Sequence, residues 1–251
     1  MNKIALVTGG SRGLGKDMAL NLAKKGLDVI LTYHSKQEEA DKVVSEIEEI
    51  DQKALAIQLD TGKTKTFDSF FNELKNALSS KFNTDKFDFL VNNAGIGVTA
   101  VFSETTEEQF DSLTDIQFKG PFFLTQKALP HMNDGGGIVN ISTGLTRIIL
   151  PYYPAYSSAK AAMENLTKYL AKDLGSRGIR VNIVAPGAIE TDFAGGMVRD
   201  NADMNSHIAS QTALGRVGLP TDIGSVVAFL CTDDAKWITG QRVEVSGGQM
   251  L

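Results

Sequence analysis

The chain has 251 residues, of which 42% are hydrophobic and 22% charged, a composition typical of a folded globular protein. The net charge of −5 gives no reason to expect nucleic acid or a membrane surface as a partner. The single cysteine, Cys231, cannot form an internal disulfide, and the three scattered histidines lack metal-ligand spacing. We therefore expect no metal and a reducing compartment, the cytoplasm. The apolar run at residues 4–7 is too short for a signal peptide or membrane span.

Short apolar runs alternate with amphipathic stretches along the whole chain. Seven runs are predicted to be buried β-strands, at residues 4–7, 29–31, 54–57, 87–91, 138–141, 179–184 and 242–245. Apolar residues at helical spacing predict helices at residues 40–47, 67–74, 122–129 and 161–174. A capping-box pattern from Ser35 to Glu38 predicts one helix start. The alternation predicts a single α/β domain over residues 1–251, with a doubly wound parallel sheet of about seven strands covered by helices on both faces.

A glycine-rich sequence, TGGSRGLG at residues 8–15, follows the first predicted strand and opens a helix. Glycine allows a tight turn close to a pyrophosphate, and the start of a helix offers free N–H groups and the positive end of its dipole. The spacing is Gly-x-x-x-Gly-x-Gly rather than Gly-x-Gly-x-x-Gly, and a plain tight turn is the alternative. The predicted dinucleotide contacts are Gly9, Ser11, Arg12, Gly13, Leu14 and Gly15.

Further motifs follow in a fixed order. They are Asp60 after the third strand, Asn92-Asn93-Ala94-Gly95 after the fourth, Tyr156-x-x-x-Lys160, Pro186-Gly187-x-Ile189-x-Thr191, and Ser246-Gly247-Gly248. With the glycine loop, they make essentially the whole chain resemble the short-chain dehydrogenase/reductase family, including its 3-oxoacyl-acyl-carrier-protein reductases. The resemblance implies a nicotinamide dinucleotide cofactor and hydride transfer between it and a small-molecule carbonyl or alcohol.

The resemblance also implies roles along the cofactor. Asp60 is expected to hold the adenine together with the backbone of Leu59 or Thr61, and Asn92 to brace the sheet near the ribose. The Ile189 backbone and Thr191 are expected to hold the nicotinamide carboxamide and the phosphates. The remaining contacts expected from these motifs are Ala94, Gly95, Tyr156, Lys160, Pro186 and Gly187.

The segment after the second strand indicates which nicotinamide cofactor is used. NAD sites place an acid there to bind the ribose 2′-hydroxyl, whereas residues 31–36 (LTYHSK) contain none. A 2′-phosphate would meet no like charge there, and Arg12, His34, Ser35 and Lys36 could supply donors; Tyr33 is a further expected cofactor contact. We therefore predict NADP(H); the alternative is that Ser35 only caps its helix and Lys36 is solvated surface.

The candidate acid/base pair is Tyr156 and Lys160, four residues apart and on one face of a predicted helix. A free tyrosine has a pKa near ~10, and a neighbouring ammonium lowers it. We expect Lys160 and the cofactor's positive nicotinamide to bring the pKa of Tyr156 toward neutrality, so that the phenol can exchange a proton with the substrate oxygen.

Two further catalytic positions come from the resemblance. The family carries a hydroxyl thirteen residues before the tyrosine; that position is Thr143, and a one-residue loop difference would make it Ser142 instead. The family's asparagine, which interrupts a helix and holds a relay water through its carbonyl, is replaced by Gln117. We expect a weaker interruption and an altered relay; the alternative is that Gln117 has no role.

Residues 191–217 are expected to cover the substrate, with Gly195-Gly196 as a hinge and Phe193, Met197 and Val198 as an apolar face. Leu145, Val98 and residues 148–153 are expected to line the other wall. The resemblance implies a homodimer or homotetramer. We expect an NADPH-dependent reductase of a ketone or aldehyde. The alternatives are an alcohol or sugar dehydrogenase working oxidatively, and a non-catalytic NADP-binding sensor, against which the intact Tyr156 and Lys160 argue.

Overall fold

The computed structural model describes residues 2–251. Its strands are, in chain order, Ile4–Val7 (β1), Asp28–Tyr33 (β2), Ala54–Gln58 (β3), Phe87–Asn92 (β4), Met132–Ile141 (β5), Arg180–Pro186 (β6) and Arg242–Val245 (β7). All seven join one sheet in the order β3-β2-β1-β4-β5-β6-β7, and every neighbouring pair is parallel. The continuous apolar runs in the sequence correspond to strands that are covered on both faces.

The helices are Gly13–Lys24 (α1), Gln37–Glu48 (α2), Phe67–Ala77 (α3), Glu107–Thr114 (α4), Gly120–Ala128 (α5), Pro154–Leu174 (α6), Met197–Asp200 (α7), Ala202–Ser210 (α8) and Pro220–Leu230 (α9). Alternate residues of β1 enter two different cores. Ala5 and Val7 pack with α1, α2 and α9 on one face, while Ile4 and Leu6 pack with α3 and α5 on the other. The predicted doubly wound α/β fold is confirmed.

The strand order reverses at β1, which lies between β2 and β4. Such a reversal opens a crevice beyond the carboxyl ends of the two central strands, where ligands of this architecture bind. The Thr8 hydroxyl accepts the backbone N–H groups of Asn93 and Ala94, each at 3.0 Å. The glycine loop after β1 and the Asn92–Gly95 motif after β4 are thereby joined at the crevice.

Two helix starts differ from the prediction. Helix α2 begins at Gln37, with Lys36 at the N-cap and no capping hydrogen bond from a side chain, so the predicted capping box is wrong. Ser35 lies one residue too early to cap this helix. Helix α6 begins at Pro154 rather than at residue 161, because proline suits the first turn, where the N–H has no intrahelical acceptor. Tyr156 therefore lies inside the helix.

Candidate active site

The glycine loop forms a fixed turn at the crevice. Gly9 and Gly13 have φ values of +67° and +54°, which glycine adopts without strain. A side chain at Gly15 would collide with the carbonyl oxygen of Gly9. The Asn93 amide donates to the carbonyl oxygens of Thr8 and Gly9 at 2.9 and 3.2 Å. The start of α1, whose first N–H groups have no intrahelical acceptor, thus faces the crevice in the arrangement that binds phosphate.

The loop at residues 186–191 forms the opposite bank of the crevice. The Thr191 methyl lies 3.8 Å from the position that a Cβ on Gly13 would take. Ile189 pairs with Gly218 in an isolated parallel bridge, and Gly187 continues the pairing of β6 with β7 through its N–H. The motif that begins at Pro186 therefore lies across from the phosphate loop.

The crevice ends beyond β2 and β3 in a cluster of charged side chains. His34 Nε2 and Lys63 Nζ lie 3.5 and 3.3 Å from Asp60 Oδ2. In the glycine loop, the Arg12 side chain is 61% exposed. Residues 33–36 include no acid. The absence of a carboxylate directly after β2, with the exposed Lys36 there and the exposed Arg12 in the glycine loop, suits a 2′-phosphate, so these residues fit NADP(H).

The other residues predicted for this end differ in burial. Leu14 and Tyr33 are half-buried and pack against the core beside α1 and α2, and burial raises the pKa of the Tyr33 phenol. Thr61 is buried, with its carbonyl oxygen against Gly120 at the start of α5. Ser11 is half-buried and Ser35 is exposed. Of these residues, Ser11 and Ser35 therefore have the polar side chains that a cofactor can reach most easily.

Asn92 connects the strands beneath the crevice. Its Nδ2 donates to Asn140 Oδ1 at 2.8 Å and to Thr125 Oγ1 at 3.0 Å. Asn140 in turn donates to Thr167 Oγ1 at 2.9 Å, which carries the chain of hydrogen bonds into α6. Among the described residues Asn92 Oδ1 is buried without a partner. Asn92 thus ties β4 to β5, as the bracing role implied by the resemblance requires, and Ala94 and Gly95 follow it into the crevice.

Tyr156 and Lys160 are both buried on α6. Lys160 Nζ donates to the carbonyl oxygen of Ile141 at 2.8 Å and lies 5.9 Å from the centre of the Tyr156 ring. Burial lowers the pKa of Lys160 to about 7. Burial also raises the pKa of Tyr156, against a smaller lowering by the Thr143 hydroxyl. In the chain alone, burial therefore outweighs the lowering that we expected from the lysine.

The two candidate hydroxyls point to different neighbours. Ser142 is buried at the end of β5 and donates to Glu164 Oε1 at 2.6 Å. Thr143 follows it with extended backbone; its Oγ1 accepts the Leu145 N–H at 3.2 Å, and this hydroxyl lowers the pKa of the Tyr156 phenol. Successive side chains on extended backbone point to opposite sides, so only one of the two can face the tyrosine. The structure directs Thr143 toward Tyr156 and Ser142 away from it.

Gln117 lies in a π-helical segment, Asp115–Lys119, between α4 and α5. The helix is thus interrupted here without asparagine, since the segment carries the extra residue of a π-turn. Gln117 is buried; its Nε2 donates to the Ile96 carbonyl oxygen at 2.5 Å, and its amide packs against Gly95. Among residues 2–251, Gln117 Oε1 is one of the few buried side-chain atoms without a partner.

An apolar cavity of about 490 Å³ lies next to the segment that carries Tyr156. It is lined by Val101, Phe102, Leu145, residues 149–154 and Ser157. The Tyr153 ring, on its wall, is 6.3 Å from the Tyr156 ring and connects the cavity to the acid/base pair. Most of the predicted wall is present, but Ile148 is buried behind it and Val98 lines a separate small pocket.

The segment at residues 191–217 approaches Tyr156 through one aromatic ring. Phe193 lies 5.6 Å from the Tyr156 ring, and its ring carbons would be within 2.7 Å of a Cβ at Gly97. The next three residues, 194–196, all have left-handed backbone, which includes the predicted Gly195-Gly196 hinge. Asp192 accepts a hydrogen bond from Arg199 and lies 3.6 Å from Arg12. Phe193 therefore closes one side of the site, while Met197 and Val198 begin α7.

Sequence reasoning missed Glu164. This carboxylate accepts hydrogen bonds from Ser142 and from Thr146 at 2.6 and 2.8 Å, and from Arg242 Nε at 2.9 Å. It thus holds residues on both sides of Thr143. The spacing Tyr156, Lys160, Glu164 repeats every four residues, and this pattern on one helix face is a signal that could have found it.

None of the helices within residues 2–251 combines the length and apolar character needed to cross a membrane. Within the same residues, no group of three or more His, Cys, Asp or Glu side chains could hold a metal ion.

Comparison with known proteins identifies the family. A family model described as enoyl-(acyl carrier protein) reductase matches residues 9–250. The 3-oxoacyl-[acyl-carrier-protein] reductase FabG of Staphylococcus aureus is 37% identical over 253 residues, covering 100% of this chain and 99% of that protein. LugOII, a promiscuous reductase that catalyses keto-reduction at C1 during lugdunomycin biosynthesis, aligns with a TM-score of 0.94 and 39% identity, covering 99% of this chain and 98% of that one.

A second solved structure is similar and contains the cofactor. The angucycline C-6 ketoreductase LanV with bound NADP aligns with a TM-score of 0.93 and 36% identity, covering 99% of this chain and 95% of that one. The predicted cofactor, NADP(H), agrees with this neighbour and with the crevice described above. The chain therefore belongs to the short-chain dehydrogenase/reductase family, as an NADP-dependent oxidoreductase that moves hydride between a nicotinamide and a carbonyl or alcohol.

Proposed function

We propose that this protein reduces a ketone to an alcohol, with Tyr156 as the proton donor. The observation that carries the proposal is the buried Tyr156, next to the Thr143 hydroxyl and 6.3 Å from the Tyr153 ring on the wall of an apolar cavity. A carbonyl oxygen bound at this pair would have a proton donor and a second hydrogen-bond donor within reach. The apolar walls hold the rest of the molecule and exclude water.

NADPH supplies the hydride when it is bound. Tyr156 Oη donates its proton to the carbonyl oxygen, and the Thr143 hydroxyl orients that oxygen and shares its developing negative charge. Lys160, held by the Ile141 carbonyl, stabilises the phenolate that remains when its own amine is protonated. Ser142 takes no direct part and holds the loop through Glu164.

Burial raises the pKa of the Tyr156 phenol and so favours its protonated form, which is the form that donates to a carbonyl oxygen. The hydroxyl pair also argues against the sensor alternative, because a site that only binds a dinucleotide has no use for a buried proton donor next to a substrate-sized cavity.

Gln117 is the proposed entry point for the proton that refills Tyr156. Its π-helical segment leaves backbone groups outside the ordinary helical pattern, and its side-chain oxygen is buried without a protein partner. A water held at either acceptor would continue the relay toward Lys160. The amide on Gln117 thus replaces the family's asparagine.

The cofactor roles follow the crevice. We assign the 2′-phosphate to Arg12, His34 and Ser35, and the pyrophosphate to the backbone at residues 9–15 with Thr191. Asp60 is assigned to the adenine side. The Ile189 backbone is assigned to the carboxamide, and Asn92 supports the ribose through its bonds beneath the sheet.

The cavity supports a neutral, bulky substrate. None of its lining side chains is charged, and several are aromatic. LanV and LugOII are ketoreductases of angucycline and lugdunomycin compounds, which supports a ketone on a broad apolar skeleton. The similarity to FabG keeps a 3-oxoacyl thioester as the second candidate.

We also propose that the protein is a homo-oligomer in the cytoplasm. Exposed aromatic side chains lie on α4, α5 and α6, at Phe110, Phe122, Phe123 and Tyr169, and they support a contact between copies of this chain. The single, buried cysteine is consistent with a reducing compartment. Light scattering of the purified protein distinguishes dimer, tetramer and monomer.

The test is NADPH consumption with a panel of carbonyl compounds. We expect faster turnover of a fused-ring ketone such as 2-tetralone than of a short 3-oxoacyl thioester, and little reaction of the matching alcohol with NADP⁺ at neutral pH. The Tyr156→Phe variant is the control for non-enzymatic loss. NADPH binding without consumption of any carbonyl would favour a sensor, and faster alcohol oxidation would favour the oxidative enzyme.

A further inference from the structure

The Ser246-Gly247-Gly248 motif has no place in the mechanism above, yet its geometry is specific. Gly247 and Gly248 have φ values of +62° and +77°, so two successive left-handed residues turn the chain sharply after β7. Their carbonyl oxygens accept the N–H groups of Leu214 and Ala213 at 3.0 and 3.3 Å. The turn brings the next residue, Gln249, back toward the cofactor crevice, where it is buried.

The Gln249 side chain reaches the loop assigned to the nicotinamide. Its Oε1 accepts the backbone N–H of Ala188 at 3.0 Å, between Gly187 and Ile189. The same oxygen would lie 2.9 Å from a Cβ at Gly187, so the loop passes directly against the amide. The Ala188 carbonyl oxygen accepts from Gly218 at 2.9 Å. Gln249 thus accepts a hydrogen bond from the N–H group of Ala188, whereas Gly218 donates one to the carbonyl oxygen of the same residue.

The backbone of Gln249 is itself held from the catalytic side. Arg147 NH2 donates to the Gln249 carbonyl oxygen at 2.7 Å, and NH1 donates to the Met250 carbonyl oxygen at 3.1 Å. Arg147 is paired with Glu244, and this hydrogen bond is the main cause that lowers the pKa of that carboxyl to about 2. Arg147 also lies four residues after Thr143. One buried glutamine therefore connects the loop that carries the catalytic hydroxyl with the loop at residues 186–191.

We propose that Gln249 is a positioning residue for the nicotinamide half of the cofactor site. By accepting the Ala188 N–H, it holds residues 186–191 in the conformation that receives the carboxamide. The adenine half of the site, at His34 and Asp60 beyond β2 and β3, lies at the opposite end of the sheet from β6 and β7 and does not depend on this contact. The proposal rests on the assignment of NADP(H) and not on the identity of the carbonyl substrate.

The test compares two ligands by calorimetry on the intact protein. NADPH occupies both halves of the site, whereas adenosine 2′,5′-bisphosphate occupies only the adenine half. Gln249→Met keeps the length of the side chain and removes the acceptor. We expect its Kd for NADPH to rise about tenfold, the effect of losing one hydrogen bond to a backbone donor, with bisphosphate binding unchanged within about twofold.

Three further variants complete the experiment. Gln249→Glu keeps an acceptor oxygen and should retain most of the NADPH affinity. Gln249→Asn withdraws the oxygen by one methylene and repeats the test if Gln249→Met does not fold. Gln241→Met, the same change at an exposed position, is the matched control. NADPH affinity unchanged in Gln249→Met, or a parallel loss for both ligands, would overturn the proposal; because only binding is measured, the result is independent of the proposed carbonyl reduction.

Discussion

The two walls of the substrate site are built differently. The catalytic wall, residues 142–143 with the start of α6, is buried: Tyr156 and Lys160 expose 6% and 5% of their surfaces. The cover, residues 191–217, touches Tyr156 through Phe193, which is 40% exposed. Its near end has three successive left-handed residues and is tied by ion pairs between exposed side chains, Asp192 with Arg199 and Arg12.

This difference separates chemistry from substrate choice. A buried polar group cannot move without leaving its partner unsatisfied, which costs about 1–3 kcal/mol for each lost hydrogen bond. Exposed ion pairs contribute only about 0–1 kcal/mol each, so the cover can shift at small cost. We infer that the catalytic wall fixes the proton donor and that the cover adapts to the substrate. The following changes test this separation, from the largest expected effect to the smallest.

Tyr156→Phe removes the proton and keeps the ring. We expect kcat to fall by roughly 10²–10⁴-fold, the usual contribution of general acid catalysis, with NADPH binding retained. Turnover and calorimetric binding of NADPH are measured on the same preparation. Retention of more than about a tenth of kcat would remove Tyr156 from its role as proton donor.

Thr143→Val and Ser142→Ala distinguish the two hydroxyls. Valine matches threonine in shape but cannot form a hydrogen bond with the substrate oxygen, and we expect kcat to fall by about 10². Ser142→Ala breaks only the contact with Glu164, so we expect a smaller loss of kcat and a lower melting temperature. If Ser142→Ala alone reduces kcat, the catalytic hydroxyl has been assigned to the wrong residue.

Gln117→Ala removes the buried amide, and Gln117→Asn restores the family's residue. We expect Asn to be active and Ala to lose about threefold to tenfold in kcat at pH values where reprotonation limits the rate, as for one lost hydrogen bond. The measurement is the pH profile of kcat for both variants. An Ala profile that superimposes on that of the wild type shows that Gln117 has no catalytic part.

His34→Asp places a carboxylate where the 2′-phosphate is assigned. We expect the wild type to bind NADPH more tightly than NADH, and the variant to weaken NADPH binding roughly fivefold, reversing the order, because two like charges at an exposed site repel by about 1 kcal/mol. His34→Asn is the neutral control. Equal affinity of the wild type for the two cofactors contradicts the NADP prediction.

Phe193→Ala removes the ring through which the cover contacts Tyr156 and leaves every side chain of the catalytic wall unchanged. We expect KM for an apolar ketone to rise about threefold, the contribution of one aromatic contact, while kcat and the pH profile stay near those of the wild type. Leu214→Ala, an exposed change farther along the cover, is the control. A loss of kcat as large as that of Thr143→Val would show that cover and catalytic wall act as one unit.

Much of the site was predictable because its groups are close in sequence. The four-residue spacing of Tyr156 and Lys160 places both on one helix face, and a glycine loop after a buried strand marks a phosphate site whatever the rest of the chain does. The alternation of apolar runs and helices was enough to predict the sheet, its seven strands and their parallel arrangement. These properties follow from periodicity within single elements.

Other features depend on contacts between elements. The spacing left Ser142 and Thr143 as alternatives, and the direction of each side chain at the end of β5 separates them. The π-turn at Gln117 survives although glutamine favours a regular helix, since the packing around Gly95 and the start of α5 determines the path of the backbone there.

The sequence by itself thus determined the fold and the family and singled out a candidate acid/base pair, because each of these depends on spacing within short segments. Only the tertiary structure showed that burial raises the pKa of Tyr156, that Glu164 holds the loop of the catalytic hydroxyl, and that Gln249 contacts the loop at Ala188. Gln249 and Ala188 are separated by 61 residues along the chain. Contacts between residues so far apart in the sequence depend on how β6, β7 and the following turn pack together. The periodicity of a single segment does not predict them.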